Sequence, residues 1–177
     1  DAPEHHTVSD DLVAMYQHVD RHKSFAALRR HRPQLLPLAR FFYGHDSPSR
    51  AWFDHSLIHA TAPASPSAPP ATDSDCLYSC TGYRQGCCLS TLMAMLPYHD
   101  ALAQVQRERP TLRVVCAADD AYFNDAGCRV YEAFGDKELR VAADVGCTSN
   151  QKKVKCYSPA GDMRLAPSWM DGSAASG

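Results

Sequence analysis

No apolar run in these 177 residues approaches the roughly 20 needed for a membrane-spanning helix, so no membrane span is expected. Glycine is sparse and dispersed, nine in all, which excludes collagen-like and glycine-loop repeats. Neither sign of charge dominates: 18 Lys and Arg stand against 20 Asp and Glu, a formal net charge of -2. That balance argues against a chain coated with positive charge for nucleic acid. With 45% hydrophobic residues the chain is not a disordered tail, and it is long enough for one ordinary domain with a real core. The first residue is Asp1 rather than Met, so an upstream segment is expected to have been removed or left out, any targeting signal with it.

What stands out is eight cysteines: Cys76, Cys80, Cys87, Cys88, Cys116, Cys128, Cys147 and Cys156. A small secreted protein would use an even number as a disulfide framework. This chain is too long and too rich in Leu, Val and Ala to need staples. Cys116 and Cys156 also sit in the apolar runs RVVCA and VKCYS, where a thiol behaves as a small hydrophobe. Reduced thiols and an intracellular location are the expectation, with nucleus and organelle not distinguished. Cys76-x3-Cys80 with Cys87-Cys88 offers thiolates for zinc, but adjacent cysteines rarely share one tetrahedral ion. A cysteine hydrolase built on Gln85-Gly86-Cys87-Cys88 needs a histidine well downstream, and His99 is the last in the chain.

One domain is expected over 1–170, interrupted by a proline-rich loop at 60–75 and followed by a disordered tail at 171–177. Helices are predicted over 21–32, ended by Pro33, and over 33–43, closed by Gly44. Residues 50–58 read as a strand. Leu89, Leu92, Met93 and Leu96 fall at helical spacing, continued by Leu102 and Val105 beyond a kink at Pro97. Residues 112–117 read as a buried strand, followed by Asp119-Asp120 and a second strand, AYF. Val130, Phe134 and Leu139 mark a helix broken near Gly135, and 154–158 a closing strand. The order suits an α+β fold, an antiparallel sheet with helices on one face.

A hydrophobic strand, two carboxylates and another strand describe a hairpin whose tip presents Asp119 and Asp120 at a sheet edge. Adjacent like charges are costly unless cations neutralise them, and hard oxygen ligands suit magnesium or manganese. A third carboxylate, Asp11, opens DLVAMYQHVDR, with Tyr16 five residues on. GYRQGCCLS precedes the long helix, and Asn150-Gln151-Lys152-Lys153 precedes the last strand. In this order the motifs resemble the palm of a reverse transcriptase of the non-LTR retrotransposon type, over about 11–162.

That resemblance implies a polymerase palm-like sheet and assigns roles. Asp11, Asp119 and Asp120 would be the catalytic, metal-binding carboxylates, holding Mg2+ or Mn2+ for two-metal nucleotidyl transfer. Tyr16 would exclude the ribose 2′-hydroxyl, Gln85 and Gly86 would lie beside nucleotide and template, and Lys153, with Asn150, would approach the triphosphate. Several positions depart from the family: Ala117 stands for a tyrosine, Thr91 for a proline, and Ala14-Met15-Tyr16 for asparagine-alanine-phenylalanine. The expected fingers and thumb have no counterpart, so independent activity is not expected. The favoured expectation is a domesticated structural or RNA-contacting subunit of a larger assembly, with RNA or an RNA/DNA hybrid and other protein subunits as partners. The alternative is the catalytic palm portion of an RNA-directed DNA polymerase. From Arg21 to His45 the sequence has Arg21, Lys23, Arg29, Arg30, Arg32 and Arg40 and no acid, a basic stretch suited to phosphate contact or to an ordinary solvated helix face.

Overall fold

The computed structural model describes residues 4–43, 49–52, 76–79, 81–168 and 170. The proline-rich loop, the 171–177 tail, Gly44, Cys80 and residues 53–58 lie outside them. The chain divides into two compact units, Asp1–Leu36 with Thr81–Gly177, and Pro37–Cys80.

The first unit holds a four-stranded antiparallel sheet in the order β4-β5-β1-β6. Its strands are β1 (His5–Asp11), β4 (Arg113–Ala117), β5 (Asp120–Ala126) and β6 (Lys155–Tyr157). Two helices cover one face, α4 (Ser90–Glu108) and α5 (Gly127–Asp144), and α2 (Arg21–His31) and the one-turn α1 (Met15–His18) pack against α4. The second unit contains most of α3 (Leu36–Tyr43) and a two-stranded antiparallel sheet of β2 (Ser49–Trp52) and β3 (Cys76–Ser79).

Local chemistry accounts for the helices. Asp20 caps α2, its carboxylate accepting from the backbone N–H of His22 at 2.7 Å and of Lys23 at 3.3 Å. Arg29, Arg30 and His31 occupy the last turn, where the helix dipole favours cations, and Pro33 opens a short 3₁₀ turn instead of continuing the helix. Helix α4 buries Met93, Ala94, Pro97, Tyr98, Ala101, Leu102 and Val105 along one stripe and runs unbroken through Pro97. Helix α5 likewise runs unbroken past Gly135, burying Val130, Phe134 and Val141. Leu139, expected on its core face, points outward and is 75% exposed.

One expectation about the sheet is corrected, and one strand is new. Residues 113–117 form an edge strand rather than a buried one: Val115 is 66% exposed, and Cys116, read as a core thiol, is exposed too. Only Leu112, just before the strand, is buried. The central strand β1, in turn, went unrecognised in the sequence. It alternates between the two faces, turning His6, Val8 and Asp10 to the helices and Thr7, Ser9 and Asp11 outward. Among the described residues Cys88, Cys116, Cys128, Cys147 and Cys156 are free thiols. Cys147 and Cys156 are buried, and burial pushes both thiols up to about 11.

Candidate functional site

Pairing register brings the acidic residues together. Asp11, the last residue of β1, lies opposite Asp120, the first of β5, and Asp120 in turn lies opposite Ala117 of β4. Ala118 and Asp119 form the two-residue turn of the β4–β5 hairpin. Ala118 has a φ of +56°, the left-handed conformation at the first turn position that matches the twist of a tight hairpin. A non-glycine residue there costs about 1–2 kcal/mol. Asp119 is half-buried and Asp120 exposed. So Asp11, Asp119 and Asp120, distant in sequence, meet at one edge of the sheet.

Lys153 joins them. The chain leaves α5 through Gly146, and Leu12 bridges to Ser149. The backbone N–H of Asn150 then donates to the Asp11 carbonyl at 2.7 Å, and that of Lys153 to the Asn150 carbonyl at 2.7 Å. This turn sets the Lys153 Nζ 2.8 Å from Asp11 Oδ2. The Asp11 carboxylate beside Lys153, reinforced by Asp120 and Asp119, holds its ammonium above the usual lysine range. Asp11, Asp120, Tyr122, Lys152, Lys153 and Lys155 are among the residues lining an open cleft of about 640 Å³.

Behind this edge lies a buried charged cluster absent from the sequence reading. Lys137 of α5, fully buried, donates to Asp10 and, at 2.5 Å, to Ser149 Oγ, with Glu138 Oε1 at 2.8 Å. Burial raises the Asp10 carboxyl above its ordinary value despite the opposing pull of Lys137. The Tyr98 hydroxyl, buried without a hydrogen-bond partner among the described residues, is pushed up by burial and then by the charges of Asp10, Glu138 and Asp119 among others. Burial and then Asp119, Asp120 and Asp10 raise the Cys116 thiol, which stays protonated at neutral pH. The acidic field therefore reaches through the sheet edge. A buried lysine answering a buried aspartate has one faint sequence sign, a Lys on an otherwise apolar stripe of α5 beside Phe134 and Val141.

The remaining expected residues fall in two places. Tyr16 of α1 packs toward the start of α4, its hydroxyl 3.4 Å from Thr91 Oγ1. Its carbonyl accepts from the backbone N–H of Tyr83. Gly82, with a φ of +61°, sits so close to the Gln17 carbonyl that a Cβ would clash. Gln85 and Gly86 follow on the exposed turn into α4, Gly86 with a φ of +83°. The structure thus joins Tyr16 to the segment that holds Gln85-Gly86, apart from the residues that line the acidic cleft.

The basic stretch is split. Arg21 is buried, its Nε donating to the Gly82 carbonyl at 2.6 Å and its guanidinium lying over the Tyr83 ring, so it is a structural cation rather than a surface one. Lys23 donates to the Ala143 carbonyl. Arg30 and His31 both hold Asp100 of α4, each at 2.6 Å. Burial pushes the Asp100 carboxyl up, but these two bonds prevail and hold it below its ordinary value. Arg29 and Arg32 remain exposed on α2 and just beyond it.

The donor chemistry at the sheet edge, carboxylate oxygens, suits a hard divalent cation. As folded, Lys153 occupies one of those oxygens, and among the described residues no three His, Cys, Asp or Glu side chains converge on one point. No helix among the described residues is long and apolar enough to cross a membrane. No protein-family model and no curated protein matches this chain.

Proposed function

We propose that this chain is a reverse-transcriptase-like palm whose acidic sheet edge acts on nucleotidyl phosphates. The observation that supports this reading is the register pairing of Asp11 with Asp120, with Asp119 in the adjoining turn and Lys153 against Asp11. Of the residues that the resemblance assigns to one site, the three carboxylates and Lys153 lie together at one edge of the sheet, while Tyr16, Gln85 and Gly86 lie apart from the cleft there. A divalent cation drawn to these carboxylates once Lys153 releases Asp11 would supply charge stabilisation to a phosphoryl transfer. Lys153, its ammonium kept charged beside the acids, would receive phosphate oxygens on exchanging its partner. The hairpin presents Asp119 and Asp120 from a two-residue turn and the strand that follows it, and positioning of this kind is most of what such a transfer asks of a protein.

A second reading, an RNA-contacting subunit with eroded catalysis, is favoured by one contact. The Lys153–Asp11 ion pair neutralises a carboxylate that catalysis needs free for a cation. Primer extension on an RNA template with Mg2+ or Mn2+ separates the two. If the site is catalytic, wild type extends the primer and Asp119→Asn/Asp120→Asn loses extension by roughly 100-fold or more. Wild type that binds the template yet extends nothing rejects the catalytic reading and leaves the RNA-contacting one.

A further inference from the structure

We propose that the outward face of the four-stranded sheet is a stacking platform for single-stranded nucleic acid, with Tyr122 and Tyr157 as the base-stacking rings and Arg113, Lys152 and Lys155 as phosphate contacts. The inference rests on the RNA-contacting part of the function proposed above, not on catalysis. Register defines the platform. One row across the sheet reads Val115, Tyr122, Ser9, Lys155, and the next reads Arg113, Asn124, Thr7, Tyr157. The third row, Ala117, Asp120 and Asp11, belongs to the acidic edge.

The two rows differ from an ordinary wet sheet face. Tyr122 is 46% and Tyr157 48% exposed, and Val115 lies beside Tyr122. Single exposed apolar residues are common, but two aromatic rings on one face of one sheet are a surface with work to do. Between them β1 offers only the small side chains of Ser9 and Thr7, so nothing on that strand rises over the rings. Asn124 is fixed flat, donating to Thr7 Oγ1 at 2.9 Å with His5 Nδ1 3.1 Å from its carbonyl oxygen. The opposite face is filled by Val8, Ala121 and Phe123, so the tyrosines have no core alternative.

Charge selects the occupant. Neither row contains an acid, and Arg113 and Lys155 lie on the two edge strands, with Lys152 exposed in the turn before β6. Three strand spacings put the margins roughly 14 Å apart. A single strand crossing between them can lay bases on the rings while its phosphates meet the marginal cations. Stacking of this kind is tolerant of sequence because every base has a π-face. Repulsion from Asp11 and Asp120 keeps the phosphates off the third row. A duplex fits poorly, because its bases are already stacked and paired. An apolar protein segment would cover the rings but leave Arg113 and Lys155 without counter-charge.

The test titrates labelled oligo(U) of roughly 12 nucleotides, within the range a single sheet platform covers, against the whole chain, with an RNA duplex in parallel. Tyr122→Leu and Tyr157→Leu, which keep apolar bulk at exposed positions, should each weaken oligo(U) binding roughly ten- to a hundredfold. Tyr122→Phe and Tyr157→Phe should bind as wild type does, and duplex binding should not move. Arg113→Ala/Lys155→Ala should flatten the salt dependence. Leucine variants that bind like wild type overturn the platform while leaving RNA contact elsewhere intact. Wild type that binds no RNA at all overturns the RNA-contacting reading with it. Sedimentation showing a wild-type dimer that the leucine variants dissolve, with oligo(U) affinity unchanged, assigns the face to a second copy and also overturns the proposal.

Discussion

Lys137 and Asp10 show how one pair of residues braces the candidate site from behind. Each side chain is fully buried, and the ammonium also serves Ser149, which bridges through its backbone to Leu12 beside Asp11. Removing the lysine strands a carboxylate in a dry interior, so Lys137→Met is expected to cost about 3–5 kcal/mol at neutral pH. Replacing both partners, Asp10→Leu with Lys137→Met, should come within about 1 kcal/mol of wild type or exceed it, because Ser149 keeps its bond to Glu138. Chemical denaturation of the single and double variants decides this. The pH dependence has a definite sign. The folded carboxyl of Asp10 is raised, so its contribution is complete below the ordinary aspartate value and is lost as pH rises through the folded one. Lys137→Met should therefore be least harmful in acid. Asp11 was legible in the sequence from its place in an ordered set of motifs. Asp10, one residue earlier, was not, because its meaning depends on a lysine in a helix more than half the chain away.

At the scale of elements, what is local was legible and what is mutual was not. The limits of α2 follow from Asp20, the basic last turn and Pro33, all within its own stretch. The hairpin around Asp119 was legible for the same reason. Strand β1 was missed because two of its buried positions are His6 and Asp10, whose partners Tyr131 and Lys137 lie on α5. Strand β4 has an apolar sequence, yet it takes the sheet edge, and only the strand order reveals that exposure. The same distinction bears on α2 as a nucleic-acid contact. With Arg21 buried and Arg30 held by Asp100, the cations free to meet phosphate are fewer than the sequence suggests. Arg29→Ala/Arg32→Ala should reduce the slope of log affinity for RNA against log salt by about two, roughly one for each lost contact. A salt titration showing an unchanged slope returns this helix face to ordinary solvated surface. Because Arg30 also ties α2 to α4, its replacement should lower stability as well, by about 0.5–1 kcal/mol.

For the whole molecule, the α+β class and the antiparallel sheet with helices on one face were legible, while the strand order β4-β5-β1-β6 was not. Helical periodicity and turn residues declare themselves locally, but which strand takes the centre depends on partners far along the chain. That central place of β1 has a kinetic meaning. Hairpin β4–β5 closes through two residues, whereas β1 pairs with β5 and β6 only across long stretches of chain. Closing long loops is slow because their entropy is lost before the contacts repay it. Pulsed hydrogen exchange during refolding should protect the amides of β4 and β5 before those of β1, and simultaneous protection of all the strands would contradict this order. Asp11 would then reach Asp120 only in the final docking, so the acidic edge comes into being last, once the strand that supplies Asp11 has found its place.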